Sequence, residues 1–254
     1  MCGDGRDVEE GQSLVYKTTQ EGVRREVVAR DDDVLTPAEI SKNWKEVEQA
    51  MLKELHVWAK LGCFSRKPRE KARNIIDTRW VIKYKWEQSP TSGESSTTEP
   101  GKVRTIRARL TVRGFEDMDR HDIDRYAGTR ARSSQKLLVS EAVLRGWDIL
   151  TTDISKAFLQ GVTYEELAKL TGEPVREVNF FLPASNIALL RKVPGFESLD
   201  PQREVLYCDK PGTGLVDAPR AFSLKLGMVT SEKCGFHPSR IDSELCYRHY
   251  EGRL

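Results

Sequence analysis

The stretch Thr152-Asp153-Ile154-Ser155-Lys156-Ala157-Phe158-Leu159-Gln160-Gly161 decides how this chain is read. Trp147 to Thr151 is rich in β-forming residues. It delivers a single carboxylate, Asp153, into a turn of small residues that also carries Lys156 and Phe158. An Asp in front of Ile-Ser-Lys-Ala is ordinarily a helix N-cap. A carboxylate is equally the ligand that a hard ion such as Mg²⁺ prefers. For a lone Phe158 the ordinary reading is core packing.

Upstream of the turn, Ser133 or Ser134 is suited to cap a helix that runs to Arg145 and stops at Gly146, with Leu137, Leu138, Ala142 and Val143 inward. Trp147 to Thr152 reads as the strand that ends at Asp153. Further upstream lies an alternating pair of strands. Thr78 to Trp86 places Trp80, Ile82 and Tyr84 on one face. Val103 to Arg113 places Ile106, Ala108, Leu110 and Val112 on one face and Arg107, Arg109, Thr111 and Arg113 on the other. Ser89 to Gly101, rich in Ser, Thr, Gly and Pro, joins them as a loop. The result is a hairpin with an arginine-lined face. Guanidinium groups suit phosphates because they donate paired hydrogen bonds and keep their charge, although an alternating Arg face on its own is usually a solvated surface.

A helix is announced by the capping box Thr36-Pro37-Ala38-Glu39. Ile40, Trp44, Val47, Met51, Leu55 and Trp58 then form one apolar face, and Gly62 is a natural stop. This face reads as plain core. Downstream of the Asp153 turn, Thr163 to Leu170 is a short helix closed by Gly172. Val178 to Leu182, Glu204 to Cys208 and Leu245 to Tyr250 read as strands. A helix opens at Asp217-Ala218-Pro219-Arg220 and continues to Gly235. Residues 1 to 35 hold few large apolar side chains and the acidic run Asp31-Asp32-Asp33. They read as a disordered tail or connector, because such a segment buries too little to offset its ordering entropy.

Bulk properties exclude several classes. With 254 residues there is ample material for a core. No apolar run approaches the length of a membrane span, and the N-terminus lacks a signal-peptide core. The five cysteines form no Cys-x-x-Cys pair, and the four histidines have no metal-ligand spacing. The cysteines fit buried or free thiols in a reducing, intracellular compartment, cytoplasmic or nuclear. The net charge is only +2, but its distribution is uneven: Gly101 to Lys136 carries ten Lys or Arg against five Asp or Glu. Lys102 to Arg113 is basic without local compensation.

The turn resembles the first catalytic motif of the reverse transcriptases of copia-type retrotransposons, typically Asp-Val-x-x-Ala-Phe-Leu-x-Gly. Three other stretches resemble that family in the same order. Asp77 to Lys83 followed by Ile106 to Phe115 is similar to its Ser-Arg-Trp-Val-x-Lys and Tyr-Lys-Ala-Arg-Leu-Val-Ala-Arg-Gly-Phe strands. Tyr126 to Ser134 resembles its Phe-Ala-Pro-Val-Ala-Arg region. Lys210 to Phe222 is similar to Lys-x-Leu-Tyr-Gly-Leu-Lys-Gln-Ala-Pro-Arg-x-Trp. In the last of these Thr213 stands for Tyr, Val216 for Lys and Asp217 for Gln. One cation is lost and one anion gained, which weakens the expected attraction to nucleic acid there.

The resemblance implies an α+β fold, reverse-transcriptase-like fingers and palm with an antiparallel sheet, incomplete at its C-terminus. Residues 36–254 would form the partial domain, with 36–146 mainly fingers and 147–254 the first part of the palm with a returning fingers segment. The implied activity is RNA-directed DNA synthesis, with an RNA template, a DNA primer, deoxynucleoside triphosphates and Mg²⁺. Asp153 would be the catalytic metal ligand. Phe158 would gate the sugar, and the amides at Lys156 and Ala157, with Arg107 and Arg109, would meet the triphosphate. Lys102, Arg104, Arg113 and Arg220 would contact nucleic acid. The family's aromatic-x-Asp-Asp hairpin is expected beyond Leu254, and no Asp-Asp pair follows residue 33. The expectation is therefore a fragment inactive as it stands. The alternatives are a non-catalytic nucleic-acid-binding module and a non-functional remnant that folds poorly.

Overall fold

The computed structural model describes residues 33–88 and 102–249, together with the backbone of two strands nearer the N-terminus. Those two, β1 (Leu14–Thr18) and β2 (Arg24–Ala29), pair antiparallel with a bulge between Val15 and Tyr16. They fall inside the segment read from sequence as a tail. The remaining helices are α1 (Pro37–Lys42), α2 (Trp44–Lys60), α3 (Arg132–Arg145), α4 (Tyr164–Thr171), α5 (Ile187–Leu190) and α6 (Ala218–Met228). The remaining strands are β3 (Phe64–Pro68), β4 (Ile75–Ile76), β5 (Thr78–Gln88), β6 (Lys102–Val112), β7 (Asn179–Phe180), β8 (Glu204–Cys208), β9 (His237–Pro238) and β10 (Cys246–Tyr247). Helices and antiparallel-rich sheets are mixed, as an α+β class requires. The loop expected at Ser89 to Gly101 lies outside the described residues.

The chain divides into two compact units, residues 1–54 with 80–109 and residues 55–79 with 110–254. In the first unit, Thr36 and Glu39 form the reciprocal cap read from sequence and start α1. One helix was expected from here to Gly62, and two are present. Asn43 interrupts it, because its side-chain amide donates to the Glu39 carbonyl at 3.0 Å and competes with continued helix. Val47 and Met51 on α2 are buried as expected, whereas Trp44 is exposed. β5 pairs with β6. Residues 33–35 run along β5: Leu35 N–H donates to the Ile82 carbonyl (3.0 Å), and Tyr84 N–H donates to the Asp33 carbonyl (2.7 Å).

The second unit is built on a four-stranded sheet in the order β3-β8-β7-β4. β8 is antiparallel to both neighbours, and β7 runs parallel to β4. Trp58, Phe64, Phe180 and Phe196 pack on this sheet with ring centroids 5.0–6.3 Å apart. Each such pair contributes about 0.5–1.5 kcal/mol beyond the area it buries. Leu55, Leu159, Val162, Val178, Leu190 and Leu206 complete the core. Two close crossings explain glycines of the sequence motifs. A Cβ on Gly161 would crowd Ala221 of α6, whose carbonyl accepts from Val162 N–H at 3.2 Å. A Cβ on Gly114 would collide with the Gly214 carbonyl, and one on Gly214 with the Val112 carbonyl, while Val112 N–H donates to Thr213 at 2.9 Å.

Three expectations are corrected here. Trp147 to Thr152 forms no strand; beyond the Trp147 N–H, which donates to Ala142 of α3, this segment finds no ladder partner among the described residues, and β-prone residues without a neighbour cannot build one. Leu137, Leu138 and Val143 do not face inward: α3 buries only Ser134 and Ala142. Neither serine caps α3. Its first turn is held by Asp242, which accepts from the Ala131 N–H at 3.0 Å. Hydrogen bonds from the Ser134 side chain and that amide keep the Asp242 carboxyl below its ordinary pKa.

Candidate nucleic-acid interface

The β5–β6 ribbon alternates strictly. The Arg104 guanidinium lies over the Tyr84 ring at 3.5 Å, so even-numbered residues of both strands share one face. On that face Ile82 and Ala108 are buried. The odd-numbered residues Lys83, Lys85, Arg107 and Arg109 therefore share the opposite face, and all four are exposed. Thr105, between them, ties the strands by donating its hydroxyl to the Lys85 carbonyl at 3.2 Å. Four cations on one solvent-facing side, backed by an apolar side that fixes the register, suit a polyanion. Arg107 and Arg109 were read from the sequence. Lys83 and Lys85 were missed, although strand alternation along Thr78 to Trp86 places them there.

The other arginines expected at nucleic acid are placed differently. Arg104 is on the opposite face from Arg107 and Arg109. Arg113 lies 3.4 Å from Asp77 and 3.9 Å from Glu116. Arg220, with only 13% of its side chain exposed, lies 3.3 Å from Asp124 and 3.1 Å from Glu173. These two hold acids of their own chain. The Lys102 side chain lies outside the described residues.

The Asp153 turn belongs to the second unit, the Arg107–Arg109 face to the first. Asp153 is exposed, and Lys156 adopts the left-handed conformation with φ 56° before a single 3₁₀ turn, Ala157–Gln160. No α-helix follows Asp153, so an N-cap role does not apply. Phe158 is exposed at the surface, whereas Leu159 beside it is buried and accepts at its carbonyl from the Cys63 thiol. Leu159 and Gly161 thus anchor the turn, and Asp153 to Phe158 stand out from it. Among the described residues no group of three His, Cys, Asp or Glu side chains converges where a metal ion would sit.

Asp217 is not a surface anion as the sequence suggested. It is buried and ion-paired with Arg176, which also reaches Asp117 at 2.5 Å. Burial pushes the Asp217 carboxyl upward, and Arg176 opposes that shift. Burial also pushes the Tyr164 phenol, whose ring lies 5.6 Å from the guanidinium, well above its ordinary pKa. The signal missed was Arg176 itself, distant in sequence. Among the described residues no helix is long and apolar enough to cross a membrane. No family model, no curated protein and no solved structure matches this chain.

Proposed function

We propose that this chain is a fingers and partial palm segment of a copia-type reverse transcriptase, and that its working surface as it stands is a nucleic-acid-binding ribbon. The observation that carries the reading is the solvent face of Lys83, Lys85, Arg107 and Arg109. The ordered series of motifs around it supports the family. Asp153 in its protruding turn is the residue proposed to meet Mg²⁺, and Phe158 the residue proposed to meet the sugar. The described residues do not fit a full Mg²⁺ site: one exposed carboxylate falls short of the near-octahedral oxygen set the ion takes. No catalytic step is derived through it. A second reading, a non-catalytic nucleic-acid-binding module, is favoured by the same exposed cation face, which needs no metal.

The test is anisotropy of a labelled RNA–DNA primer–template over a salt series, beside primer extension with Mg²⁺ and deoxynucleoside triphosphates. Binding that falls steeply with salt, and a shallower slope for the Arg107→Ala, Arg109→Ala double variant, support the ribbon. Templated incorporation that Asp153→Asn abolishes favours the polymerase; binding without incorporation favours the module. Binding indifferent to both salt and the double variant removes both readings.

A further inference from the structure

The buried side of the ribbon has an outer end that is not buried. There Trp86 is 44% exposed, Arg104 is exposed and Tyr84 is half-buried. The Arg104 guanidinium lies 3.5 Å from the centre of the Tyr84 ring and 5.9 Å from that of Trp86. Tyr84 is held from behind, its hydroxyl receiving the Asn43 amide at 3.4 Å. Glu39, whose carboxyl is kept below the ordinary range chiefly by the Thr36 backbone amide, also faces Arg104 and Tyr84. Tyr84 and Arg104 are therefore ordered from α1 outward, and Trp86 lies next to them on the same face. An exposed cation–π contact contributes about 0.5–1 kcal/mol, which biases the exposed Arg104 side chain toward the ring.

We infer that Tyr84, Arg104 and Trp86 form a stacking platform for the unpaired bases of single-stranded nucleic acid. The inference rests on the proposed nucleic-acid-binding reading and names which form of strand that ribbon takes. Arg104 lies over the Tyr84 ring at 3.5 Å, so the platform offers flat faces as well as a cation. The phosphate-attracting charge sits on the opposite side, with Lys83, Lys85, Arg107 and Arg109. Bases inside a duplex present no free face, whereas a single strand presents one at every nucleotide, and stacking on aromatic and guanidinium planes tolerates any sequence. Sequence alone groups Arg104 with Lys102, Arg113 and Arg220 as nucleic-acid contacts; its stacking on Tyr84 gives it a distinct way of making one.

The test uses the intact chain with a labelled oligothymidylate, an abasic strand of equal length and a DNA duplex. Oligothymidylate is expected to bind about tenfold more tightly than the abasic strand. Trp86→Ala should lose that advantage while leaving the salt slope unchanged, and Trp86→Phe should keep most of it. Trp86 is exposed, so these variants fold; far-ultraviolet dichroism checks this. Equal affinity for the abasic strand, or no effect of Trp86→Ala, overturns the platform. If binding then still falls with salt and with Arg107→Ala, the ribbon reading stands without it. If no strand binds at all, both fall.

Discussion

Two parts of the second unit both carry large apolar side chains and end differently. Around Phe180, strand β8 lies between β3 and β7, and Trp58, Phe64 and Phe196 close over the sheet with almost no exposure. Along α3 and the segment after it, Val143 is 76%, Leu144 77% and Leu150 89% exposed. An open groove of about 650 Å³ lies against α3, its lining including Leu137, Leu138, Trp147, Leu245 and Tyr247 beside Arg145, Arg240 and Arg248. The difference lies in the neighbours: apolar side chains favour burial, but burial needs a second surface to cover them.

The comparison breaks most visibly at the ring cluster. Phe180→Ala should cost about 3–5 kcal/mol in urea unfolding, as buried aromatic truncations do. A loss under about 1 kcal/mol would mean the cluster is no better packed than α3. Next comes the polar counterpart of that core. Arg176→Met should cost about 3 kcal/mol, because it leaves Asp117 and Asp217 buried and uncompensated. Adding Asp217→Asn should return part of that stability; if the double variant is weaker than the single, the pair is not what holds these acids.

A smaller effect is expected at Glu177, where the Lys67 ammonium at 2.7 Å and then the Arg73 backbone amide lower the pKa to about 2. A lowered carboxylate stabilises the fold above its unfolded pKa, about 4.3. That contribution is lost as the pH falls from there toward 2. Wild type should therefore lose more stability than Glu177→Gln across this window. The difference should stay below about 1 kcal/mol, since the pair is partly exposed. Superimposable acid profiles would refute it. Smallest is Val143→Ser with Leu144→Ser, within about 0.5 kcal/mol of wild type and with less light scattering at high concentration. A destabilisation comparable to Phe180→Ala would show that α3 is covered after all.

What the sequence disclosed was what local chemistry decides. Thr36 with Glu39, and Gly62, Gly146 and Gly172 at positive φ, mark helix ends through groups a few residues apart. Alternation along β5 and β6 disclosed the apolar and basic sides in the same way, since a strand's period of two needs no distant partner. What it did not disclose depends on distant partners. Trp147 to Thr152 has strand composition but no strand beside it among the described residues. Asp217 looked like a surface charge until Arg176 stood next to it. Ser133 and Ser134 looked like caps until Asp242 took that place. At the candidate site, Asp153 and Phe158 were legible as a motif, while the stack of Arg104 on Tyr84 depends on α1 holding the ring.

The crossing of Gly114 and Gly214 has a consequence for how the chain is made. The inner end of β6 donates its last strand amide, at Val112, to Thr213, a residue synthesised far later. Closing so long a loop is slow compared with forming a hairpin. During translation the β5–β6 ribbon can therefore pair early, while its base stays unfastened until the Gly212–Gly214 turn leaves the ribosome. Pulse-labelled hydrogen exchange would place protection of the Val112 amide among the last to appear, well after that of the ribbon above it.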